Sequence, residues 1–312
     1  MPTPLSSKRR LQIAGMVLVI GLLGLFTVRN WQAAKTSLLL AGDLPLHIIV
    51  ISLLLIAVMF CCAAGAYVSL ALKSIVFRQA VLIELAANAV NKLIPSGIGG
   101  MGVHGLFLHR QKHSLAQAAV IVSVNNALGM LVHCAMLLLV VLCVPRSLYE
   151  FHLGLDAPKG WILPGTLLAM VVVIVVVLIR TGLLRRYRRQ VSTAVQSVKR
   201  RPRATGAAAL CLLGTPLLQT TLLLLLARYL GIDLTTAQLF IALSVGIFLG
   251  AIVPTPGGLG GVEAGIVVAC TGFGIDLPHA MALALSFRLL TYWAPLLPGF
   301  AALLWARQQK LL

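Results

Sequence analysis

The chain has 312 residues, of which 60% are hydrophobic and 10% charged, and its mean hydropathy is +1.01. A soluble domain of this length cannot hide so much apolar surface, and several apolar runs reach the ~18 residues that cross a bilayer core. Lys and Arg outnumber Asp and Glu by 25 to 7, but they cluster in short loops between apolar spans, which marks membrane topology rather than nucleic-acid binding.

Taken in chain order, the pattern predicts an all-α polytopic membrane protein with about six full spans, near 11–28, 45–72, 115–144, 161–180, 206–230 and 278–306. Lys8, Arg9 and Arg10 precede the first apolar run. No small-x-small cleavage site follows it, so an uncleaved span is expected there rather than a signal peptide. Two further apolar regions, 79–113 and 236–275, are interrupted by "NKLIPSGIGGMGVHG" (91–105) and "IVPTPGGLGGVEAG" (252–265). At ~1.5 Å per residue the arm from Ala80 to Ile94 covers only ~22 Å, short of a crossing. Each region is therefore expected to be a re-entrant hairpin of two half-helices. Proline stops the incoming half-helix, glycines reverse the chain, and the outgoing half-helices are expected to start near Val103 and Val262 with free N–H groups facing the membrane centre. Six cysteines (Cys61, Cys62, Cys134, Cys143, Cys211, Cys270) fall in or beside apolar runs without metal-ligand spacing and read as small hydrophobes.

Charge fixes the orientation. With both termini in the cytoplasm and each hairpin returning to its own side, the cytoplasmic segments hold 18 basic residues and no acid. The external segments hold Arg29, Lys35, Arg146, Lys159 and Arg228 against Asp43, Glu150, Asp156, Asp233 and Asp276. This is the bias expected of a multi-pass cell-membrane protein. A shift of 159 residues lays Pro95 on Pro254, Ser96 on Thr255, Gly99 on Gly258, Gly102 on Gly261 and His104 on Glu263 without a gap. The whole chain then reads as one membrane domain: a first repeat at 45–144, a linking span and basic loop at 145–203, and a second repeat at 204–306. Opposed hairpins with internal similarity are the signature of an inverted repeat.

The second half, with Pro256-Gly257-Gly258-Leu259-Gly260, Glu263, and then Arg288, Tyr292, Trp293 and Pro295, resembles the lysylphosphatidylglycerol synthase transmembrane-domain family, also called flippase-like. The first-half match, through Asn91, Pro95, Gly99 and Gly100, is looser. Family members often carry an arginine just after the first glycine run, where this chain has His104 and then Arg110. The resemblance implies a membrane region that moves lipid between leaflets, joined in fused relatives to a soluble aminoacyl-transferase domain. Nothing in this sequence resembles that domain, so a stand-alone member is expected.

The residues expected to bind or gate a substrate are Lys92, Glu263, Arg288, Asn88, Asn91, His104 and Tyr292. The expected hairpin loops are built from Pro95, Gly99, Gly100, Gly102, Pro254, Pro256, Gly257, Gly258, Gly260 and Gly261. Glu84, Asn88, Asn91 and Lys92 recur at helical spacing as one polar stripe. Glu263 and Arg288 lie at membrane depth, where charge is costly and usually paired. Asn125, Asn126 and Gln219 read as interhelical hydrogen-bonding groups. His109 and His113 read as interface residues rather than a metal pair, because Arg110 and Lys112 would repel a cation. No P-loop, HExxH motif or carboxylate cluster is present. The expectation is therefore a non-enzymatic lipid translocase, without cofactor or metal, whose partners are membrane lipids of anionic or polyprenyl-phosphate type and not nucleic acid. A lipid-modifying enzyme is a candidate partner. The competing expectation is a membrane enzyme or accessory scaffold of envelope lipid biosynthesis.

Overall fold

The structure, a computed structural model, describes residues 31–93, 98–143, 145, 201–253 and 255–312. In chain order the helices are α1 (Trp31–Gly42), α2 (Leu46–Leu70), α3 (Phe77–Leu93), α4 (Ile98–Arg110), α5 (Leu115–Cys143), α6 (Pro202–Tyr229), α7 (Thr236–Ile252), α8 (Gly261–Gly272), α9 (Leu277–Arg288), a π-helical turn (Leu289–Trp293) and α10 (Leu296–Gln308). No strand occurs among the described residues. Four helical runs are long and apolar enough to cross a bilayer: α2, α5, α6 and the continuous stretch Leu277–Gln308. They coincide with four of the six expected spans. The other two, 11–28 and 161–180, lie outside the described residues.

The helix ends follow local chemistry. Pro45 precedes α2, Pro202 opens α6, and Thr235 with Gln238 forms a capping box at α7. Asp276 caps α9 by accepting from His279 N, with Pro278 in the first turn. Within the last span Pro295 cannot donate an N–H, and the helix widens into the π turn just before it. The full span expected over 278–306 is thus one continuous helical stretch with a π turn in its middle. Helix α1, expected only as an external segment, packs against α9.

Helices α2 and α6 cross closely on small residues. A Cβ on Gly65 would lie 3.0 Å from Cys211 Sγ, and one on Gly214 would lie 2.8 Å from Cys62 Sγ. Three residues forward on α2 correspond to three residues backward on α6, so the two helices run antiparallel. The cysteines act here as the small apolar fillers expected, and those described are free thiols.

Two sets of chain ends gather separately. At one, His113 Nε2 accepts from the backbone N–H groups of Leu72 and Lys73, Gln111 donates to Gln79, and Arg201 donates to Ala71 O. Ile75, Leu108, Ala306 and Leu311 share one apolar cluster there. At the other, the Tyr229 hydroxyl donates to Asp43 O, and Leu44, Leu230, Ile232, Leu234 and Ala280 share a second cluster. The faces that meet neither cluster carry exposed apolar side chains, among them Leu46, Leu54 and Val58 on α2 and Leu131, Leu138 and Leu142 on α5. Such contiguous apolar faces on bilayer-length helices are lipid-facing surfaces of an integral membrane protein.

Candidate functional site

The segment 253–260 is a tight knot of turns. Gly257, Gly258 and Gly260 have φ of 59°, 68° and 83°, a region in which a side chain is strained. Thr255 Oγ1 donates to Leu259 O at 2.7 Å, and Gly258 N donates to Thr255 O. The knot presses onto its neighbours. A Cβ on Gly257 would lie 2.5 Å from Tyr292 Cε2 and 3.3 Å from Lys92 Cα. The glycine loop therefore touches both the end of α3 and the π turn of the last span.

Charged groups converge at that contact. Arg288 Nε donates to Glu263 Oε1 at 2.8 Å, and its Nη2 donates to Gly257 O at 3.0 Å. The other Glu263 oxygen accepts from Gly260 N at 2.8 Å, closing the first turn of α8. Lys92 Nζ donates to the Tyr292 carbonyl at 2.6 Å and the Thr291 carbonyl at 3.1 Å. Pro295 explains the availability of Thr291 O, since residue 295 cannot supply the amide that an α-helix would place there. The Tyr292 hydroxyl donates back to Lys92 O at 3.2 Å. Both cations lie over the Tyr292 ring, Arg288 Cζ at 4.6 Å and Lys92 Nζ at 5.0 Å from its centroid. Lys92 and the Glu263–Arg288 pair are largely buried. The site thus sets two basic groups against one carboxylate.

A second polar cluster sits where α2, α3, α4 and α5 meet. His104 Nε2 lies 2.7 Å from Glu84 Oε2, and its Nδ1 lies 2.9 Å from Gly100 O. The imidazole stacks on Tyr67 with centroids 4.0 Å apart and planes 7° from parallel. Asn125 stands beside Tyr67, and its Oδ1 is buried without a hydrogen-bond partner.

Of the expected site residues, the structure brings Lys92, Glu263, Arg288, Tyr292 and Gly257 together. His104 belongs to the second cluster. Asn91 Oδ1 accepts from Gly100 N at 2.9 Å and so ties α3 to α4. Asn88 Oδ1 is buried without a partner. The polar stripe on α3 is accordingly divided: Glu84 faces His104, Asn91 faces Gly100, and Lys92 faces the last span. Pro95 and Pro254 lie outside the described residues.

Two expectations are corrected. Gly99, Gly100 and Gly102 are not loop residues, because α4 begins at Ile98, ahead of the expected Val103. Gly100 serves close packing instead: a Cβ there would lie 3.1 Å from the Asn91 side chain and 3.2 Å from Ala87 O. Gly261 is likewise the first residue of α8, while Pro256, Gly257, Gly258 and Gly260 precede it in the loop. The second correction concerns anion binding by free helix N–H groups. At α8 the amides of Gly261 and Val262 donate to Gly258 O, that of Ala264 donates to Gly260 O, and that of Gly260 donates to Glu263. At α4 the Gly100 amide is taken by Asn91.

Elsewhere, Asn125 is interhelical as expected, whereas Asn126 is exposed on α5. Both ring nitrogens of His113 are occupied, Nε2 by two amides and Nδ1 by Leu108 O, which leaves no lone pair for a metal. The Tyr67 stack and the carbonyls of the π turn were not anticipated from sequence. The only signal for the latter was the aromatic pair Tyr292 and Trp293 just before Pro295.

A family model described as "Lysylphosphatidylglycerol synthase TM region" matches residues 12–299. No curated protein matches the chain.

Proposed function

From the family to which this chain belongs, the lysylphosphatidylglycerol synthase TM region family, and from the site at the end of α3, we propose that the protein carries an anionic lipid between the leaflets of the cell membrane. The family ties the chain to membrane lipid. The observation that carries the finer reading is the contact of the α7–α8 loop with the end of α3 at Gly257 and Lys92, with Arg288 and Tyr292 beside it.

In this reading α3–α4 and α7–α8 are re-entrant hairpins. Their helices have 17, 13, 17 and 12 residues, lengths of roughly 18–26 Å at 1.5 Å per residue, below a ~30 Å hydrocarbon core. Helices α3 and α7 are displaced by 159 residues at both ends. Their bases lie with opposite sets of chain ends, and α2 and α6 cross antiparallel at Gly65 and Gly214. All of this supports an inverted repeat, 45–144 against 204–306, with 145–203 as the link. The first set of ends holds Lys73, Arg78, Arg110, Lys112, Arg201, Arg307 and Lys310, which supports a cytoplasmic placement for it.

The chemistry follows from the charges. A phosphate-bearing head group would exchange with the Thr291 and Tyr292 carbonyls for the Lys92 ammonium and draw on the Arg288 guanidinium, while Glu263 keeps Arg288 aimed across the loop. The lipid tails would stay against the exposed apolar faces. Movement of one repeat against the other would open the site to each side in turn. The protein then performs no covalent chemistry and needs no cofactor.

The test is leaflet exchange in proteoliposomes with head-group-labelled anionic, zwitterionic and polyprenyl-phosphate lipids, followed by quenching of the outer leaflet. Exchange selective for an anionic head group, lost in folded Lys92→Met and Arg288→Gln proteins, is the expected result. Exchange equal to that of empty liposomes for every lipid, or exchange indifferent to Lys92→Met, overturns the reading.

A further inference from the structure

The Glu84–His104 pair has a proton inventory that its geometry settles. His104 Nδ1 faces the carbonyl of Gly100 at 2.9 Å. A carbonyl can only accept, so Nδ1 carries hydrogen. The 2.7 Å contact from Nε2 to Glu84 Oε2 then needs one more proton between ring and carboxylate. That proton has two equivalent placements: imidazolium with carboxylate, or neutral imidazole with carboxylic acid. Both forms contain the same number of protons and are neutral overall.

We propose that Glu84 and His104 together bind one exchangeable proton, and that its occupancy is linked to that of the anion site at Lys92 and Arg288. Release takes the shared proton to water and leaves a neutral imidazole beside a carboxylate, so the pair passes from net zero to net −1. The change occurs among side chains that are 7% and 19% exposed, where an uncompensated charge is costly.

Among the described residues no Lys or Arg side chain bonds to the pair to compensate it. Helix α2 contributes Tyr67, stacked on the ring. Helix α5 contributes the Asn125 amide. Helix α10 places Gly299 against this part of α3, next to Leu85 O and Ala89. On α4 the nearest basic groups, His109 and Arg110, lie at the far end of the helix. Along α3 the charged groups are Arg78, exposed and six residues back, and Lys92, eight residues on, which is ~12 Å at 1.5 Å per residue. A unit charge at that range and an effective dielectric of ~20 alters an anion's affinity about tenfold. The empty pair repels an anion at Lys92 and the protonated pair does not. By reciprocity, a bound anion raises the proton affinity of the pair about tenfold as well. The proton-site half of the inference stands on the pair alone, and the linkage half rests on the proposed anion site.

Two measurements on the full-length protein in zwitterionic-lipid nanodiscs separate the halves. The first is nitrogen-15 magnetic resonance of labelled histidine across pH. The expected spectrum shows His104 Nδ1 protonated throughout and one transition at Nε2, which moves or vanishes in Glu84→Gln. A bare Nδ1, or a His104 transition unchanged in Glu84→Gln, overturns the proton site, and the Nδ1 signal decides even where the variant fails to fold. The second is binding of a short-chain fluorescent phosphatidylglycerol, whose phosphodiester does not titrate in this range. As the pair empties, affinity in the parent is expected to fall about tenfold further than in Glu84→Gln, which retains only the pH dependence of Lys92 itself. The same pH dependence in both proteins overturns the linkage. Failure of the probe to bind at any pH overturns the linkage together with the anion site, while the ring-nitrogen signals still decide the proton site.

Discussion

The helical hairpins α3–α4 and α7–α8 share one sequence register and are closed by opposite means. In the second, glycine meets glycine. A Cβ on Gly265 would lie 2.5 Å from Gly246 Cα, and one on Gly261 would lie 2.9 Å from Gly250 Cα, so two small-xxx-small ridges interlock backbone against backbone. In the first, Asn91 stands at the register position of Gly250 and reaches across to Gly100 N. Glu84 stands where the second has Leu243, and His104 where it has Glu263. The second hairpin closes on glycine backbone and sends its one carboxylate outward to Arg288, on another span. The first keeps its Glu84–His104 contact inside. One sequence register thus accompanies a hairpin closed by glycine contact and a hairpin closed by polar side chains.

The largest effect separating them is expected from removing each carboxylate. Glu263→Ala leaves Arg288, a group that does not deprotonate in proteins, buried without its partner, and also removes the acceptor of Gly260 N. The expected cost is about 3–5 kcal/mol, read as a loss of thermal stability in detergent. Glu84→Ala removes one partly buried hydrogen bond to His104 and leaves no arginine stranded, so about 1–2 kcal/mol is expected. Equal losses would mean that the two pairs are not chemically distinct.

Next is the glycine interlock. Gly265→Val must push α7 and α8 apart, because the atoms it meets belong to the Gly246 backbone, and overpacking of this kind costs about 1–3 kcal/mol or more. The matching position in the first hairpin is Leu106, which is exposed, so Leu106→Val is expected to stay within ~0.5 kcal/mol. Converting the first hairpin toward the second is milder still. Asn91→Gly removes one partly buried hydrogen bond and a side chain from α3, about 1–2 kcal/mol together. A stabilised Asn91→Gly protein would show that glycine contact suffices for both.

Much of this contrast was readable from residue order, because hydrophobic run length and the positive-inside bias act locally. The described spans and both ends of α3 and α7 fall within a few residues of where those signals put them. What was not readable depended on partners distant in sequence. Gly99, Gly100 and Gly102 look like a loop because glycine reports only permissiveness; that they open a helix follows from Asn91 capturing Gly100 N nine residues back. Of the N–H groups expected to be free at α8, those of Gly261, Val262 and Ala264 are taken by the Gly258 and Gly260 carbonyls, a result of successive turns that no single residue announces. The stripe of Glu84, Asn88, Asn91 and Lys92 was visible as a face, but its division among three neighbours required those neighbours to be in place.

The smallest expected difference lies in how the helices after the two hairpins are capped. Helix α5 starts with a neutral box, in which Gln117 N donates to Ser114 Oγ and Ser114 N donates to Gln117 Oε1. Helix α9 starts with Asp276, which accepts from both the side chain and the backbone N–H of His279. Chiefly through the His279 side-chain bond, the Asp276 carboxyl titrates below its ordinary value. A carboxyl depressed in the folded state contributes stability above its unfolded value, near pH 3.9, and loses it as pH falls through the folded value. The group is exposed and screened, so the contribution is a few tenths of a kcal/mol. Thermal midpoints of parent and Asp276→Asn should therefore differ slightly at pH 6 and converge as the buffer is taken toward pH 3, whereas Ser114→Ala should cost about 1 kcal/mol at both. A gap between parent and Asp276→Asn that persists unchanged into acid would mean that the α9 cap works through its hydrogen-bond geometry alone, as the neutral cap of α5 does.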